Sequence, residues 1–373
     1  MNKIGYRPTW AEVNLANIAY NINSIRKIVP EETEILATVK ADAYGHGLIP
    51  VSKKLISLGI KYLGVASIDE AITLRHAGIK SSILVLGGIF LKDCPAIIDY
   101  GLAQTVFSEE IAAGLNAQAS KKRKPVKIHI KIDTGMGRIG IWHKDALTFV
   151  KAVNKLAYLK IEGIFTHLSS ADSDADFTRR QISLFKELLK KIDCCGISIP
   201  LKHAANSLGM VNFKSSHFNL IRPGIVIYGL YPQRALNIKI KPVLSLKTKV
   251  VYLKKVPGGR SISYNKTYVT KRKTVIAVLP VGYGDGYPRA LSNKAEVIIK
   301  GRRVKVVGRV CMDQTMVDAG SVKNLSVGDE VTLIGQDKNS FVSAEELAAL
   351  SDTICYEIVC GLGNRIPRVY LNK

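Results

Sequence analysis

Short apolar runs alternate with amphipathic segments over the first two thirds of the chain. Runs bounded by polar and glycine-rich turns predict buried strands at residues 35–39, 62–66, 82–86, 103–106, 126–132, 163–166, 201–203 and 220–221. Between most of them, apolar residues recur at helical spacing and predict helices at residues 49–58, 68–77, 108–119, 144–155 and 177–192. Eight successive strand–helix units favour an α/β fold with a closed (β/α)8 barrel of the TIM type. An open doubly wound sheet is the alternative, but no Gly-x-Gly-x-x-Gly follows the first strand.

The pattern changes after about Leu236. Strand-like runs follow at residues 243–254, 274–278, 295–300, 304–310 and 330–334, separated by glycines and prolines. One helix is predicted at residues 343–351, where Ser343 is a cap and Glu346 completes a capping box. A chain of 373 residues is also too long for one ordinary core. We therefore predict a barrel domain at residues 1–236 and a mainly β domain at residues 237–373.

Composition places the chain among globular proteins. The hydrophobic fraction is 47%, and no apolar stretch is long enough to cross a bilayer. Residues 1–8 lack the apolar core of a signal peptide, so we predict a cytoplasmic location and no membrane partner. The six cysteines show neither a CxxC pair nor metal-ligand spacing, which predicts reduced thiols and no metal site.

The net charge of +24 raises the question of nucleic acid. The basic residues are spread along the chain, with the densest clusters at residues 121–124 and 271–273 and no recognisable nucleic-acid module around them. We interpret them as a solvated lysine-rich surface and predict no nucleic-acid partner. An RNA-binding protein is the alternative on charge alone, and retention on RNA near physiological salt would distinguish the two.

Lys40 is the first candidate for chemistry. It ends the first predicted strand and precedes a turn too polar and glycine-rich to continue that strand. A lysine at the carboxyl end of a barrel strand can capture an aldehyde cofactor as a Schiff base, although a single strand-end lysine is more often an ordinary surface residue. The string VKADAYGHG at residues 39–47 favours the first interpretation, because it resembles the pyridoxal phosphate (PLP) lysine motif of the alanine racemase family.

Further motifs of the same family follow in the family's order. They are DTGMGR at residues 133–138, SISYNKTY at 261–268, GYGDGY at 282–287 and CMDQ at 311–314. The resemblance extends from Lys40 to Arg368. It implies a fold type III, PLP-dependent homodimer that interconverts L-alanine and D-alanine and supplies D-alanine for peptidoglycan.

The resemblance also implies two catalytic bases, since one proton leaves and another arrives on opposite faces of the substrate. Lys40 binds PLP and serves the D face. Tyr264, contributed by the partner subunit and assisted by His167, serves the L face.

Cofactor contacts follow by the same comparison. The Tyr44 hydroxyl, Ser207 and the backbone N–H groups of Gly224 and Ile225 are expected to hold the phosphate. Arg222 is expected to face the pyridine nitrogen and to contact His167. An arginine cannot protonate that nitrogen, so the ring is a weaker electron sink and side reactions such as transamination are suppressed.

Substrate contacts and one modification complete the expected site. Arg138 and the backbone N–H of Met312 are expected to bind the substrate carboxylate, with Asp313 in support. Alternation along residues 127–133 directs Lys131 into the barrel, where an unpaired ammonium is unfavourable. The matching lysine of the family is often carbamylated, and a carbamate would receive the Arg138 fork, so we expect this modification.

Two positions depart from the family pattern. Asn265 follows Tyr264 where a glycine is common, and asparagine tolerates the left-handed conformation that this turn needs. Asn364 stands where we place a family tyrosine that contacts the phosphate and narrows the substrate channel. This predicts, as an alternative, a broader racemase that also accepts serine.

Two other PLP proteins are alternatives. A related decarboxylase would place an acidic residue at the pyridine nitrogen, where this chain has Arg222. A non-catalytic single-barrel PLP protein would lack the second domain.

Overall fold

The computed structural model describes residues 6–232 and 236–372. Most of the N-terminal stretch used to predict the absence of a signal peptide therefore lies outside the described residues. The same holds for residues 233–235, beside the predicted domain boundary.

In the part of the chain that the structure describes, ten strands precede the second domain. They are β1 (Thr9–Asn14), β2 (Glu34–Thr38), β3 (Tyr62–Val65), β4 (Ser82–Val85), β5 (Ala103–Val106), β6 (Val126–Asp133), β8 (Leu159–Phe165), β9 (Leu201–His203) and β10 (Leu220–Ile221), with the two-residue β7 (Ile141–Trp142) beside β6. Eight of them form a parallel sheet in the order β10-β2-β3-β4-β5-β6-β8-β9. A backbone hydrogen bond from Arg222 to Ala205 (2.9 Å) links its two end strands and nearly closes the barrel. All eight predicted barrel strands are present.

Helices and short helical turns connect the strands of the barrel domain. They are α1 (Leu15–Arg26), α2 (Lys40–Gly45), α3 (Leu48–Ser57), α4 (Ile68–His76), α5 (Cys94–Asp99), α6 (Glu109–Lys121), α7 (Ala146–Asn154), α8 (Ala175–Cys194) and α9 (Ser207–Asn212). Ser67, Ser108 and Asp174 each accept a hydrogen bond from a backbone N–H of the first turn and so fix where a helix begins. The predicted alternation along β6 is confirmed, because its isoleucines are buried in the main apolar core while Lys131 lines the cavity at the barrel mouth.

The second domain is mainly β. Its elements are β11 (Leu244–Lys249), β12 (Tyr252–Val256), β13 (Ser261–Ile262), β14 (Tyr268–Val269), β15 (Thr274–Leu279), β16 (Glu296–Ile299), β17 (Arg302–Lys305), β18 (Thr315–Asp318), β19 (Glu330–Asp337), β20 (Ser340–Val342), β21 (Arg368–Leu371), α10 (Ala344–Leu350) and α11 (Cys355–Cys360). The single strand predicted at residues 243–254 is wrong: β11 pairs with β19, whereas β12 turns away and pairs with β15. The prediction of one helix is also wrong, because α11 follows α10.

Strand β1 departs from the predicted division at residue 236. It pairs antiparallel with β11, with Thr9 opposite Thr248, and parallel with β21, with Ala11 opposite Arg368. The N-terminal segment is therefore a strand of the second domain's large sheet, ordered β17-β16-β19-β11-β1-β21. No helix in the described part of the chain is both long enough and apolar enough to cross a membrane.

Candidate active site

A cavity of about 350 Å³ lies at the carboxyl ends of the barrel strands. Nine predicted site residues line it: Lys40, Tyr44, Lys131, Arg138, His167, Ser207, Arg222, Gly224 and Ile225. The remaining lining residues, which sequence reasoning did not select, are Thr38, Ala66, Leu86, Gly87, Ile139, Phe165, Asn206, Leu208 and Tyr356. Its volume and position are those of a small-molecule site in a barrel enzyme.

The turn after Lys40 has an unusual backbone. Residues 41–44 have φ values of 53–54°, so four consecutive non-glycine residues are left-handed. This conformation costs about 1–2 kcal/mol per residue and persists only where surrounding contacts impose it. Glu70 provides two of them, because its carboxylate accepts hydrogen bonds from the backbone N–H groups of Ala41 (2.6 Å) and Ala66 (2.7 Å).

The second domain holds the same turn from the other side. Arg368 donates to the carbonyl oxygen of Gly45 (3.0 Å), and a Cβ added to Gly45 would overlap with the carbonyl of Val359 in α11. The same helix brings Tyr356 into the cavity, where its ring lies 6.0 Å from that of Tyr44. The second domain therefore completes the wall around Lys40.

The residue that stands where we placed the family tyrosine, Asn364, lies away from the cavity of its own chain, as Tyr264 and Met312 do. Asn364 is exposed, and the cavity lining drawn from the described residues does not include it. The tyrosine beside the cofactor site is Tyr356 instead, eight positions earlier. Its position in a helix that the sequence did not predict concealed it.

Basic groups dominate the cavity. Burial, and then Arg138, lower the pKa of Lys40. Burial, followed by Arg222 and Arg138, lowers the pKa of Lys131 to about 7. Within residues 6–232 and 236–372, no aspartate or glutamate lines the cavity, so the site is built for an anion.

Arg138 is presented by a loop that one carboxylate shapes. Asp133, at the end of β6, accepts hydrogen bonds from the backbone N–H groups of Gly135 (2.8 Å), Met136 (2.9 Å) and Gly137 (3.0 Å). This turn explains the acidic residue and the glycines of the DTGMGR motif.

Tyr44, Ser207 and Gly224 meet at one end of the cavity. The N–H of Gly224 donates to the Ser207 hydroxyl (2.9 Å), and a Cβ added to Gly224 would overlap with the hydroxyl of Tyr44. Burial raises the pKa of Tyr44, so its phenol remains a neutral donor. Ile225 begins a short 3₁₀ turn there (Ile225–Tyr228). Hydroxyl and backbone donors around a glycine that leaves room suit a phosphate.

Arg222 is fixed by buried acceptors. It donates to the carbonyl oxygens of Thr166 (2.7 Å) and Ala204 (3.0 Å) and to Nδ1 of His167 (3.4 Å). Burial lowers its pKa to about 9, and it remains charged at neutral pH. Because arginine only donates, Nδ1 of His167 accepts, and the proton of the neutral ring is on Nε2. Burial and Arg222 lower the pKa of His167 and keep it neutral.

Three predicted residues lie away from this cavity. Tyr264 is 68% exposed and Met312 is 54% exposed, and neither is among the described residues that line it. Asp313 forms an ion pair with Arg365 (2.6 Å). The left-handed conformation expected at Asn265 is confirmed, with φ of 62°.

The described residues contain no group of three or more His, Cys, Asp or Glu side chains that could hold a metal ion.

Comparison with known proteins covers both domains. The family described as "Alanine racemase, N-terminal domain" matches residues 13–232, and "Alanine racemase, C-terminal domain" matches residues 243–370. An alanine racemase from Halothermothrix orenii is 48% identical over 376 residues, covering 100% of this chain and 99% of that protein. "Alanine racemase 2" from Caldanaerobacter subterraneus is 42% identical, covering 98% and 96%.

Solved structures agree with these sequence matches. Alanine racemase from Bacillus anthracis with bound L-Ala-P is 39% identical and superposes with a TM-score of 0.93, covering 100% of this chain and 97% of that one. Alanine racemase from Bartonella henselae with covalently bound pyridoxal phosphate is 28% identical with a TM-score of 0.88, covering 98% and 99%. With both domains matched and named relatives covered over nearly their full length, the chain belongs to the alanine racemase family.

Proposed function

We propose that the chain interconverts L-alanine and D-alanine with PLP and two bases, Lys40 and Tyr264. The main support for this proposal is the position of Lys40 at the barrel mouth. Basic side chains surround it there, and hydroxyl and backbone donors suited to a phosphate lie at one end of the same cavity. As a member of the alanine racemase family, the chain is a PLP-dependent isomerase. Its named relatives match it over essentially its full length.

The cavity fits PLP. Its four basic residues, Lys40, Lys131, Arg138 and Arg222, match a ligand with a phosphate and a phenolic oxygen. Because Gly224 has no side chain, the Tyr44 hydroxyl can lie against its backbone at the phosphate end of the cavity. When bound, PLP supplies an electron-poor ring that stabilises negative charge on the substrate α-carbon.

Each lining residue then has a role. Lys40 holds the cofactor through its amine, whose lowered pKa increases the neutral, nucleophilic fraction. Tyr44, Ser207 and the backbone N–H groups of Gly224 and Ile225 hold the phosphate. Arg222 would hold the ring nitrogen by donating a hydrogen bond to it and would keep its own proton.

Two bases act on opposite faces of the substrate α-carbon. Lys40, whose amine would also hold the cofactor, would take or return the proton on the D face. Tyr264 does so on the L face. Since Arg222 holds the proton of His167 on Nε2, that N–H can hydrogen-bond to the deprotonated phenol of Tyr264 and stabilise the basic form.

Tyr264 and Met312 enter this scheme from a second copy of the chain. Both are large, exposed side chains remote from the cavity of their own chain. A homodimer would place Tyr264 of the partner subunit opposite Lys40, and the N–H of Met312 and the side chain of Arg138 at the substrate carboxylate. Asp313, tied to Arg365, supports the Met312 segment.

Physiological role and location stay predictions: D-alanine for peptidoglycan, a cytoplasmic location, and no nucleic-acid partner. The serine alternative stays a prediction as well, and Asn364 does not line the cavity of its own chain.

The direct experiment has two parts. Chiral analysis of purified chain with PLP should show L-alanine and D-alanine each converted to an equal mixture. Borohydride reduction followed by peptide mapping should place the PLP label on Lys40. Absence of racemisation would refute the function, and a label on another lysine would refute the assignment of Lys40.

A further inference from the structure

A chain of buried polar side chains crosses the barrel interior, and the steps above do not use it. It starts at Arg222, whose Nη1 lies 2.8 Å from Nδ1 of His203. Nε2 of His203 lies 2.9 Å from Nδ1 of His129, and Nε2 of His129 lies 3.3 Å from a carboxylate oxygen of Glu162. The other oxygen of Glu162 pairs with Lys127 (2.6 Å), which is half exposed. The chain thus links the floor of the cavity to the opposite end of the barrel.

The surrounding sequence makes room for this chain and immobilises it. His203 and His129 are 0% and 1% exposed. Phe165 stacks on the His203 ring at 4.7 Å. A Cβ added to Gly163 would overlap with the His129 ring, and the pairing of β6 with β8 shifts register beside His129. The two imidazoles therefore occupy dedicated sites and cannot reorient freely.

Only one arrangement of protons satisfies every bond. Arginine is exclusively a donor, so Nδ1 of His203 must accept and its proton must lie on Nε2. That N–H donates to Nδ1 of His129, whose own proton must then lie on Nε2 and point at Glu162. Both imidazoles are neutral, in keeping with the effect of burial, which lowers the pKa of each. A carboxylate is the acceptor needed at the end, and the hydrogen bonds from His129 and Lys127 outweigh burial and lower the pKa of Glu162 to about 2.

We propose that Glu162 is a positioning residue for Arg222: as the terminal acceptor it fixes the tautomers of His129 and His203, and through them the orientation of the guanidinium. The inference rests on the proposed function in one respect, that Arg222 faces the ring nitrogen of PLP. Without an acceptor at residue 162, no hydrogen bond favours the His129 tautomer that has its proton on Nε2. The opposite tautomer would direct an N–H of His203 at an N–H of Arg222, which disfavours the present position of the guanidinium.

Three variants separate this role from a merely structural one. Glu162→Leu removes the acceptor. Glu162→Gln keeps a carbonyl acceptor without the charge, and the donor at Arg222 selects the productive amide orientation. Lys127→Met is the matched control, because it removes the other partner of Glu162 and leaves the hydrogen-bonded chain intact. Circular dichroism verifies that each variant is folded.

The first measurement is the tautomeric state by ¹⁵N NMR of histidine-labelled full-length chain, with and without PLP. Wild type, Glu162→Gln and Lys127→Met should carry the protons of His129 and His203 on Nε2 alone. Glu162→Leu should show mixed tautomers at these two positions. Protons on Nδ1 in the wild type, or unchanged tautomers in Glu162→Leu, would overturn the inference.

The second measurement is the ¹⁵N shift of the ring nitrogen of labelled PLP, together with steady-state kinetics. Glu162→Leu should move this shift and lower kcat by about tenfold to a hundredfold, with KM for alanine little changed, because misplacement of a positioned group by about 1 Å costs that much. Glu162→Gln should restore most of the activity. An unmoved ring-nitrogen shift, or a glutamine variant as impaired as the leucine variant, would contradict the inference. Racemisation of alanine by the wild type tests only the proposed function, so failure of that function can be distinguished from failure of the role of Glu162.

Discussion

At the scale of single residues, charge organises the site. Four basic side chains converge on one cavity whose described lining contains no acidic side chain. Mutual repulsion and burial oppose this arrangement in the absence of anions. The phosphate and carboxylate of the proposed ligands relieve it. For one of these cations, Lys131, covalent modification of the amine could also remove the positive charge.

We expect Lys131 to be carbamylated. Its pKa of about 7 leaves a large fraction of neutral amine at neutral pH. The neutral amine attacks CO₂ and releases one proton, leaving an anion between Arg138 and the other cations. Carbamylation should therefore hold at and above neutral pH and decline as the pH falls below 7, where protonation removes the nucleophile.

The measurement is ¹³C NMR of the chain equilibrated with ¹³C-bicarbonate. A carbamate signal should be present in the wild type, absent in Lys131→Ala and retained in Lys127→Ala, which alters a half-exposed lysine near the other end of the same strand. A signal that survives Lys131→Ala would contradict the prediction.

Sequence reasoning found most of the cavity residues because they belong to short motifs with fixed neighbours. Lys40 and Arg138 are adjacent in sequence to the turns that present them. Tyr356 has no such context, and its role depends on how α11 packs over the Lys40 turn. The family tyrosine was placed at Asn364 by resemblance along the tail, whereas the tyrosine that lines this cavity is Tyr356, eight positions earlier.

At the scale of elements, the turn at residues 41–44 connects strand β2 to the wall of the cavity. The left-handed backbone is unfavourable for each residue and is held by Glu70, Arg368 and the close approach of α11. Contacts from both domains thus fix the direction in which Lys40 leaves its strand.

Glu70→Gln should destabilise this turn. A glutamine offers one acceptor where two backbone N–H groups require one each, and its amide would meet the second N–H as a donor. Because both N–H groups are exposed to solvent, we expect a loss of about 0.5–1.5 kcal/mol in the free energy of unfolding, measured by urea denaturation. Glu32→Gln, in an exposed loop, is the control. Equal stability of the two variants would mean that Glu70 does not hold the turn.

Gly224→Ala tests the phosphate end of the cavity. The added methyl group would overlap with the Tyr44 hydroxyl, so one of the two must move. The dissociation constant for PLP should rise by about tenfold or more, equivalent to about 1.4 kcal/mol. Gly258→Ala, where the added Cβ meets only ordinary contacts, should bind PLP normally. Unchanged affinity in Gly224→Ala would place the phosphate elsewhere.

The sequence predicted the barrel well because each strand–helix unit carries its own periodicity. It missed β1 and β21 as strands of the second domain's sheet. Their pairing joins residues near the two ends of the chain, and no local pattern encodes a partner that distant. The division into domains by position in the chain failed at β1 for the same reason.

At the scale of the whole molecule, large apolar side chains are exposed on one copy of the chain. Phe90, Trp142, Tyr264, Met312 and Ile354 are each at least 48% exposed. Among them, Tyr264 and Met312 are the two that the proposed function assigns to the partner's site, and a symmetric dimer would bury each of them twice.

Mixing inactive variants tests this arrangement. Lys40→Ala and Tyr264→Phe subunits should each be inactive alone, because each lacks one base in both sites. After subunit exchange, every mixed dimer has one site with both bases. Random pairing of equal amounts should restore about one quarter of wild-type activity. A mixture that exchanges subunits and stays inactive would place both bases within one chain.

The central claim is that Lys40 and Tyr264 act on opposite faces of the substrate. The most direct measurement is the incorporation of solvent deuterium at the α-carbon of each alanine enantiomer by the Tyr264→Phe variant. Our account predicts that D-alanine still exchanges, because Lys40 remains, while exchange of L-alanine nearly disappears. Equal loss of exchange for both enantiomers would contradict it and make Tyr264 a structural residue.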